Sequence, residues 1–159
     1  MRYARQIVER FGMDQSKSVA TPIEPRLNLD RNTDEDPADV PYREVIGSLM
    51  YLMLGSRPDL CYAVNYLSRF QDKPTQEHWT HVKRILRYVN ETLEFGLQYK
   101  RSSAPLFGFC DADWASDLND SRSTSGNVIK VFGNTVSWSS RKQNILAKYT
   151  TEAEYISAS

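Results

Sequence analysis

Four carboxylates fall into two close pairs. Asp111 and Asp113 stand one residue apart at the end of the apolar run from Leu106 to Cys110, and Glu152 and Glu154 stand one residue apart in Thr150-Thr151-Glu152-Ala153-Glu154-Tyr155. Residues of equal parity share a strand face, so Phe107, Phe109, Asp111 and Asp113 lie on one side of a regular strand. A carboxylate ending an apolar strand is rigidly held, and a hard cation such as Mg2+ takes oxygen ligands from a few such groups plus water. Two-metal phosphodiester chemistry adds a second ion about 4 Å away and calls for further acids from other elements. The competing reading is structural, because Asp ends strands and begins turns. On these residues alone it is the stronger one. Glu154 has a structural alternative too: Thr151 followed three residues later by Glu154 is a capping-box pattern, and acids near a helix N-terminus are favoured by its dipole.

Two basic groups complete the set of candidates. Lys83, Arg84 and Arg87, with His81 nearby, lie along one predicted helix face, and Arg141 and Lys142 follow a predicted strand. Either group could touch nucleic-acid phosphates; a solvated outer face is the alternative. His78 and His81 have a spacing that metal ligands use, but no cysteine or carboxylate cluster joins them at zinc spacing. No glycine-rich phosphate loop and no nucleophile elbow occurs.

The elements that must position these residues follow from periodicity. Ile7, Val8 and Phe11 predict a short helix ending near Gly12. From Met13 to Pro41, four prolines and the acidic stretch Leu29–Asp39 read as an exposed connection. Residues 42–56 are apolar around nearly the whole circumference, which predicts a buried helix. In the next helix Pro58 suits the first turn, and Leu60, Ala63, Val64 and Leu67 mark the inward face. Trp79, Val82, Leu86, Val89 and Leu93 repeat at alternating spacings of three and four, with His78, Lys83, Arg84, Arg87 and Glu91 assigned to the outer face. After Gly96 the pattern turns to strands at 96–100, 105–113, 127–133 and 134–140, with Gly133-Asn134 as a turn. The last ten residues read as the start of a helix. The fold class expected is α+β, helices first and then an antiparallel meander.

Composition sets wide bounds. The chain has 159 residues, 40% hydrophobic and 11% aromatic, enough for a packed core. Twenty basic and twenty acidic residues cancel, so net charge favours neither nucleic acid nor membrane as a partner. Cys61 and Cys110 belong to no paired spacing and read as buried free thiols of a reducing compartment. No apolar run approaches the roughly 18 residues that span a bilayer, and the N-terminus lacks a secretory core. An intracellular protein is expected.

Read in order, several blocks resemble a known family. "RFGMDQSKSVATPIE", "YREVIGSLMYL", "SRPDLCYAVNYLSRF", "HWTHVKRILRYVNETLEFGLQY", "GFCDADWASDLNDSRSTSGNVI", "SWSSRKQ" and "TTEAEY" look like successive blocks of a copia-type retrotransposon Pol polyprotein. The resemblance covers nearly the whole chain. It implies the end of a reverse transcriptase with its proline-rich acidic linker over residues 1–41, a helical connection over 42–100, and the N-terminal part of a ribonuclease H-like domain over 104–159. That fold would contribute a three-stranded antiparallel meander and the start of its first helix.

The activity implied is Mg2+-dependent cleavage of RNA in RNA–DNA hybrids by two ions held on four acids. Asp111 matches the first acid and Glu154, within Ala153-Glu154-Tyr155, the second; Asp113 and Glu152 belong to the blocks without matching the catalytic positions. The third and fourth acids would come from later elements, and no tyrosine-x-aspartate-aspartate polymerase motif is present. "VNET" and "AKYTTEAEY" depart from the family's usual turn and serine-rich approach. The expectations are an inactive chain with weak or absent Mg2+ binding, partnered by the hybrid and the rest of the Pol polyprotein, in cytoplasmic virus-like particles or the nucleus. The alternative is a non-catalytic, domesticated module that binds nucleic acid or protein through residues 42–100.

Overall fold

The computed structural model describes residues 2–25, 27–30, 35–117 and 119–159. Five helices and three strands are present among them, an α+β chain: α1 (Arg2–Arg10), α2 (Tyr42–Ser56), α3 (Cys61–Leu67), α4 (Gln76–Glu91), β1 (Phe107–Asp113), β2 (Thr124–Val131), β3 (Asn134–Lys142) and α5 (Thr150–Ala158). They form two compact units, Met1–Gly96 and Leu97–Ser159.

The first unit is helical. The inward stripes of α1, α3 and α4 agree with the periodicity: Ile7, Val8, Leu60, Ala63, Val64, Leu67, Val82, Leu86 and Val89 are all buried. Single 3-10 turns extend α3 at both ends, Pro58–Leu60 before it and Ser68–Phe70 after it, with Pro58 in the first turn where its missing N–H costs nothing. Gly12, at φ 64, closes α1 in the left-handed region that glycine tolerates. The helix α2 departs from the fully buried expectation, because Tyr51 and Leu54 are 69% and 68% exposed. Its partners cover one side only, so the residues opposite stay in water although they are apolar.

Arg57 is the largest fully buried side chain of the unit. Its guanidinium grips Asp59 in a fork (Nε–Oδ1 2.9 Å, Nη2–Oδ2 2.7 Å) and donates to Thr92 at both the carbonyl (3.0 Å) and the hydroxyl (2.6 Å). Tyr88 and Phe95 lie beneath the charge. One residue thereby ties the entry of α3 to the exit of α4, with its hydrogen-bonding capacity largely met, as a buried cation requires. His78, assigned to the outer face by sequence, is instead 2% exposed. It stacks on Phe70 and takes the reciprocal place in a capping box: Thr75 N–H donates to His78 Nδ1 at 2.9 Å, and His78 N–H donates to Thr75 Oγ1.

The second unit is a three-stranded antiparallel sheet in the order β1-β2-β3. Asp111 pairs with Gly126 and Asp113 with Thr124, and β2 continues against β3 with a register shift at Ile129/Lys130. The expected strand at 96–100 does not form. The Asn134 side chain instead holds the Lys100 main chain, accepting from its N–H at 2.7 Å and donating to its carbonyl at 2.9 Å. The β2–β3 turn is Phe132-Gly133, one residue earlier than expected, with φ 49 and 73. Two positive φ values are what the type I′ geometry demands, matching the right-handed twist of the strands.

The helix α5 packs on β1 and β2. Among the described residues the buried apolar side chains of this unit are three alanines, Ala112, Ala147 and Ala153, with Ile156 against them. Such small side chains supply little hydrophobic stabilisation. Polar bonds must therefore do much of the holding.

Candidate functional site

Asp111 lies on β1 and is exposed, and Glu154 lies in the first turns of α5 and is half-buried. The structure connects them through main chain. Ser157, three residues beyond Glu154, donates its hydroxyl hydrogen to the Asp111 carbonyl at 2.7 Å and lies 3.4 Å from the Gly126 carbonyl. On the other side of Glu154, the Gln143 amide donates to the Ala153 carbonyl at 2.9 Å and to the Ser125 hydroxyl at 2.8 Å. Ser125 pairs with Ala112, the residue between the two aspartates. Two polar pins therefore bracket Glu154 and fix α5 over β1 and β2.

The carboxylates themselves are less well assembled. Ala112 packs on Ala153, so strand alternation assigns Asp111 and Asp113 to the opposite face, with Phe107 and Phe109. Phe107 and Phe109 stack on each other at 6.4 Å between centroids and are 46% and 58% exposed. Neither the Asp111 nor the Glu154 carboxylate has a hydrogen-bond partner among the described residues. No three His, Cys, Asp or Glu residues come together among them in a group that could hold a metal ion. Mg2+ needs more oxygen donors than one strand aspartate and one helix glutamate on separate faces can offer. The residues described do not by themselves fit the ion.

The capping reading of Glu154 is corrected by the geometry of α5. Tyr149 is the N-cap and no side chain caps the helix from that position. Thr151 lies inside the first turn, and Glu152, not Glu154, reaches back to accept from the Lys148 N–H at 2.7 Å. Glu154 is thus released from the structural role its spacing suggested, and Glu152 takes one up.

The basic candidates separate in the same way. Lys142 is held by Asp117 and by Asp120 (2.6 Å), which closes the β1–β2 loop onto the end of β3. Burial pushes Asp117 up, but the Lys142 ammonium and the Asn119 amide outweigh it and hold the carboxyl below its ordinary range. Arg141 is exposed and Lys83 half-buried. Arg84 donates to Glu24 Oε1 and to Thr21 Oγ1, both at 3.0 Å, and Arg87 donates to the Lys17 carbonyl at 2.6 Å. Residues 13–25 are accordingly no free connection: they are tied to α4. Leu29 is buried, with its N–H on the Tyr66 hydroxyl of α3 at 2.9 Å. Residue 26 and residues 31–34 of the expected linker lie outside the described residues.

No protein-family model and no solved structure matches the chain. Among characterised proteins it is 41% identical, over 99% of its length, to the Retrovirus-related Pol polyprotein from transposon TNT 1-94 of Nicotiana tabacum. It is 42% identical, over 97% of its length, to the corresponding polyprotein from transposon RE2 of Arabidopsis thaliana. The chain belongs to the copia-type retrotransposon Pol polyprotein family. It spans 12% and 11% of the length of these two relatives. A further relative, Secreted RxLR effector protein 161 of Plasmopara viticola, is 47% identical over 76% of this chain, which covers 86% of that protein.

In this copia-type segment, sequence reasoning missed Gln143 and Ser157. Gln143 lay in a quoted block, "SWSSRKQ", but nothing in its spacing says that a glutamine there is 5% exposed and donates to a helix ten residues later. Ser157 looked like an unremarkable residue of a small-residue tail. Among the described residues no helix is long and apolar enough to cross a membrane.

Proposed function

We propose that residues 1 to about 100 are the end of a copia-type reverse transcriptase and its connection, and that residues from about 104 begin a ribonuclease H-type domain. The parent activity is cleavage of the RNA strand of RNA–DNA hybrids with Mg2+, Asp111 and Glu154 being two of its acids. One observation carries this reading: Glu154, free of any capping role, sits on a helix pinned by Ser157 to the main chain of Asp111. Membership of a Pol polyprotein family supports it, and so does the antiparallel sheet followed directly by that helix.

The parent's Mg2+ would stabilise charge developing on the phosphodiester oxygens. The residues of this chain contribute a strand position at Asp111, a helix turn at Glu154, and the polar pins that fix the helix on the strand. Two carboxylates on separate faces bind Mg2+ weakly, so this chain by itself cleaves little or nothing. The rest of the Pol polyprotein is the partner that would complete the site, working where the element's RNA is copied, in cytoplasmic particles or the nucleus.

The test is incubation of the purified chain with end-labelled hybrid and Mg2+. The expected result is binding without appreciable cleavage. Robust cleavage that disappears in Asp111→Asn would overturn the inactivity of the chain and establish the site. Hybrid binding that is indifferent to Asp111 and Glu154 but depends on residues 42–100 would instead favour a non-catalytic binding module.

A further inference from the structure

The segment from Met13 to Pro25 is held on α4 almost wholly by polar bonds. None of its residues is buried; Met13, Ser16, Val19, Pro22 and Ile23 are half-buried and the rest are exposed. Its ties are the Asn90 amide to the Asp14 carbonyl (3.0 Å), Arg87 to the Lys17 carbonyl, and Arg84 to Glu24 and Thr21. Three consecutive turns of one helix edge thus donate to the segment, and two of the three donors are cations. The acceptors offered, a carboxylate, a hydroxyl and carbonyls, are the oxygen types that a phosphodiester chain also presents to arginine.

The fit is incomplete at one atom. Arg84 Nε is buried without an acceptor, because Glu24 and Thr21 engage only the two terminal nitrogens of the guanidinium. A buried donor left unmet costs free energy. A phosphate could instead take Nε and Nη2 together, the bidentate edge that Glu24 leaves unused. The Glu24 carboxylate is also half in water, so its pairing with Arg84 is of the weak, exchangeable kind.

We infer that residues 13–25 are a strap that occupies, through the Glu24 carboxylate and main-chain carbonyls, and so masks, a phosphate-binding edge on α4 formed by Arg84 and Arg87. Glu24 stands in for a phosphate, and nucleic acid competes for the same cations. The inference rests on the hybrid-binding reading above for the identity of the ligand, and on the geometry alone for the masking. Segments with few buried contacts open at low cost, which lets a strap of this kind yield to a polyanion.

The experiment compares the full chain with Thr21→Ala/Glu24→Gln, measuring fluorescence anisotropy of a labelled RNA–DNA hybrid and competition by inorganic tripolyphosphate at two salt concentrations. Hydrogen exchange over residues 13–25 reports whether the strap has loosened; Glu24→Lys, which adds repulsion against Arg84, is used where the first variant leaves it in place. The expected result is hybrid binding at least about five-fold tighter. The salt slope should steepen by about 1.8 for two added phosphate contacts. Both gains should be lost when Arg84→Ala/Arg87→Ala is added. A gain for tripolyphosphate but not for hybrid upholds the masked edge and overturns hybrid as its ligand. A strap shown by exchange to be loose, with no gain for either anion, overturns the inference.

Discussion

The Ser157 hydroxyl donates to the main-chain carbonyl of Asp111 at 2.7 Å, so the helix that carries Glu154 is anchored on β1 at the candidate acid itself. Together with Gln143, whose amide donates to the Ala153 carbonyl, it replaces the large apolar side chains that three alanines do not supply.

Removing these pins should free α5 before anything else in the sheet. Ser157→Ala is expected to cost about 1 kcal/mol, the usual net worth of a hydrogen bond. Gln143→Ala, at a buried site with two donated bonds, should cost about 2 kcal/mol. Residue-resolved hydrogen exchange on α5 checks both, because the effect belongs to one unit. Unchanged protection of residues 153–157 in Gln143→Ala would count against the pinning role.

Arg57 is expected to be the most sensitive position of the helical unit. Arg57→Ala leaves the buried Thr92 carbonyl without its donor and empties the space of a buried side chain, while the partly exposed Asp59 carboxylate returns to water; it should destabilise by about 2–3 kcal/mol. Arg57→Lys should recover little, since one ammonium cannot replace a fork that reaches Asp59 and Thr92 at once. Urea unfolding followed by helical circular dichroism measures both.

Phe132 sits at φ 49 in the β2–β3 turn, a conformation that asparagine and glycine adopt far more readily than phenylalanine. Phe132→Asn creates the preferred Asn-Gly turn and should stabilise the hairpin by about 1 kcal/mol. Slower exchange of the amides at 128–131 and 134–137 would show it. Faster exchange would mean that the exposed phenylalanine ring contributes more than the strain removes.

Acid should loosen the two units in different ranges. Burial holds His78 below its ordinary 6.5, so between the two values the unfolded chain takes a proton that the folded chain refuses. Stability is therefore full above about 6.5 and falls as the pH drops below it. Asp117 is depressed below its ordinary 3.8 by Lys142 and Asn119 against the opposing effect of burial. Its contribution is present above 3.8 and disappears as the pH falls through the folded value. A pH series of exchange measurements should show α4 and its cap loosening first, with His78→Gln flattening that step and Asp117→Asn the lower one.

What was legible in the sequence was what repeats. The α4 stripe of Val82, Leu86 and Val89, and the parity of Phe107, Phe109 and Asp111, follow from periods that the backbone imposes. The exceptions arise where a residue's partner lies far along the chain. Arg84 and Arg87 bond residues 60 to 70 positions earlier, so a basic helix edge looked solvated. His78 looked outward-facing because its polarity was read without its cap. The last ten residues do form α5, but its cap differs from the expected one for a subtler reason. Thr151-x-x-Glu154 is a good capping box in isolation, but with Tyr149 at the N-cap Thr151 already lies within the first turn. The pairing of Asp111 with Glu154 came from resemblance to a family, and the order of blocks carried it where local chemistry favoured a plain strand end.

The two thiols differ in a way that their spacing did not suggest: Cys61 is buried and Cys110, next to Asp111 on β1, is exposed. Thiol-directed reagents should therefore discriminate between them without mutagenesis. A single fluorophore or spin label could be placed beside the candidate acids in the unmodified chain. The same asymmetry means that purification without reductant would link copies through Cys110, at the strand edge where the chemistry is proposed.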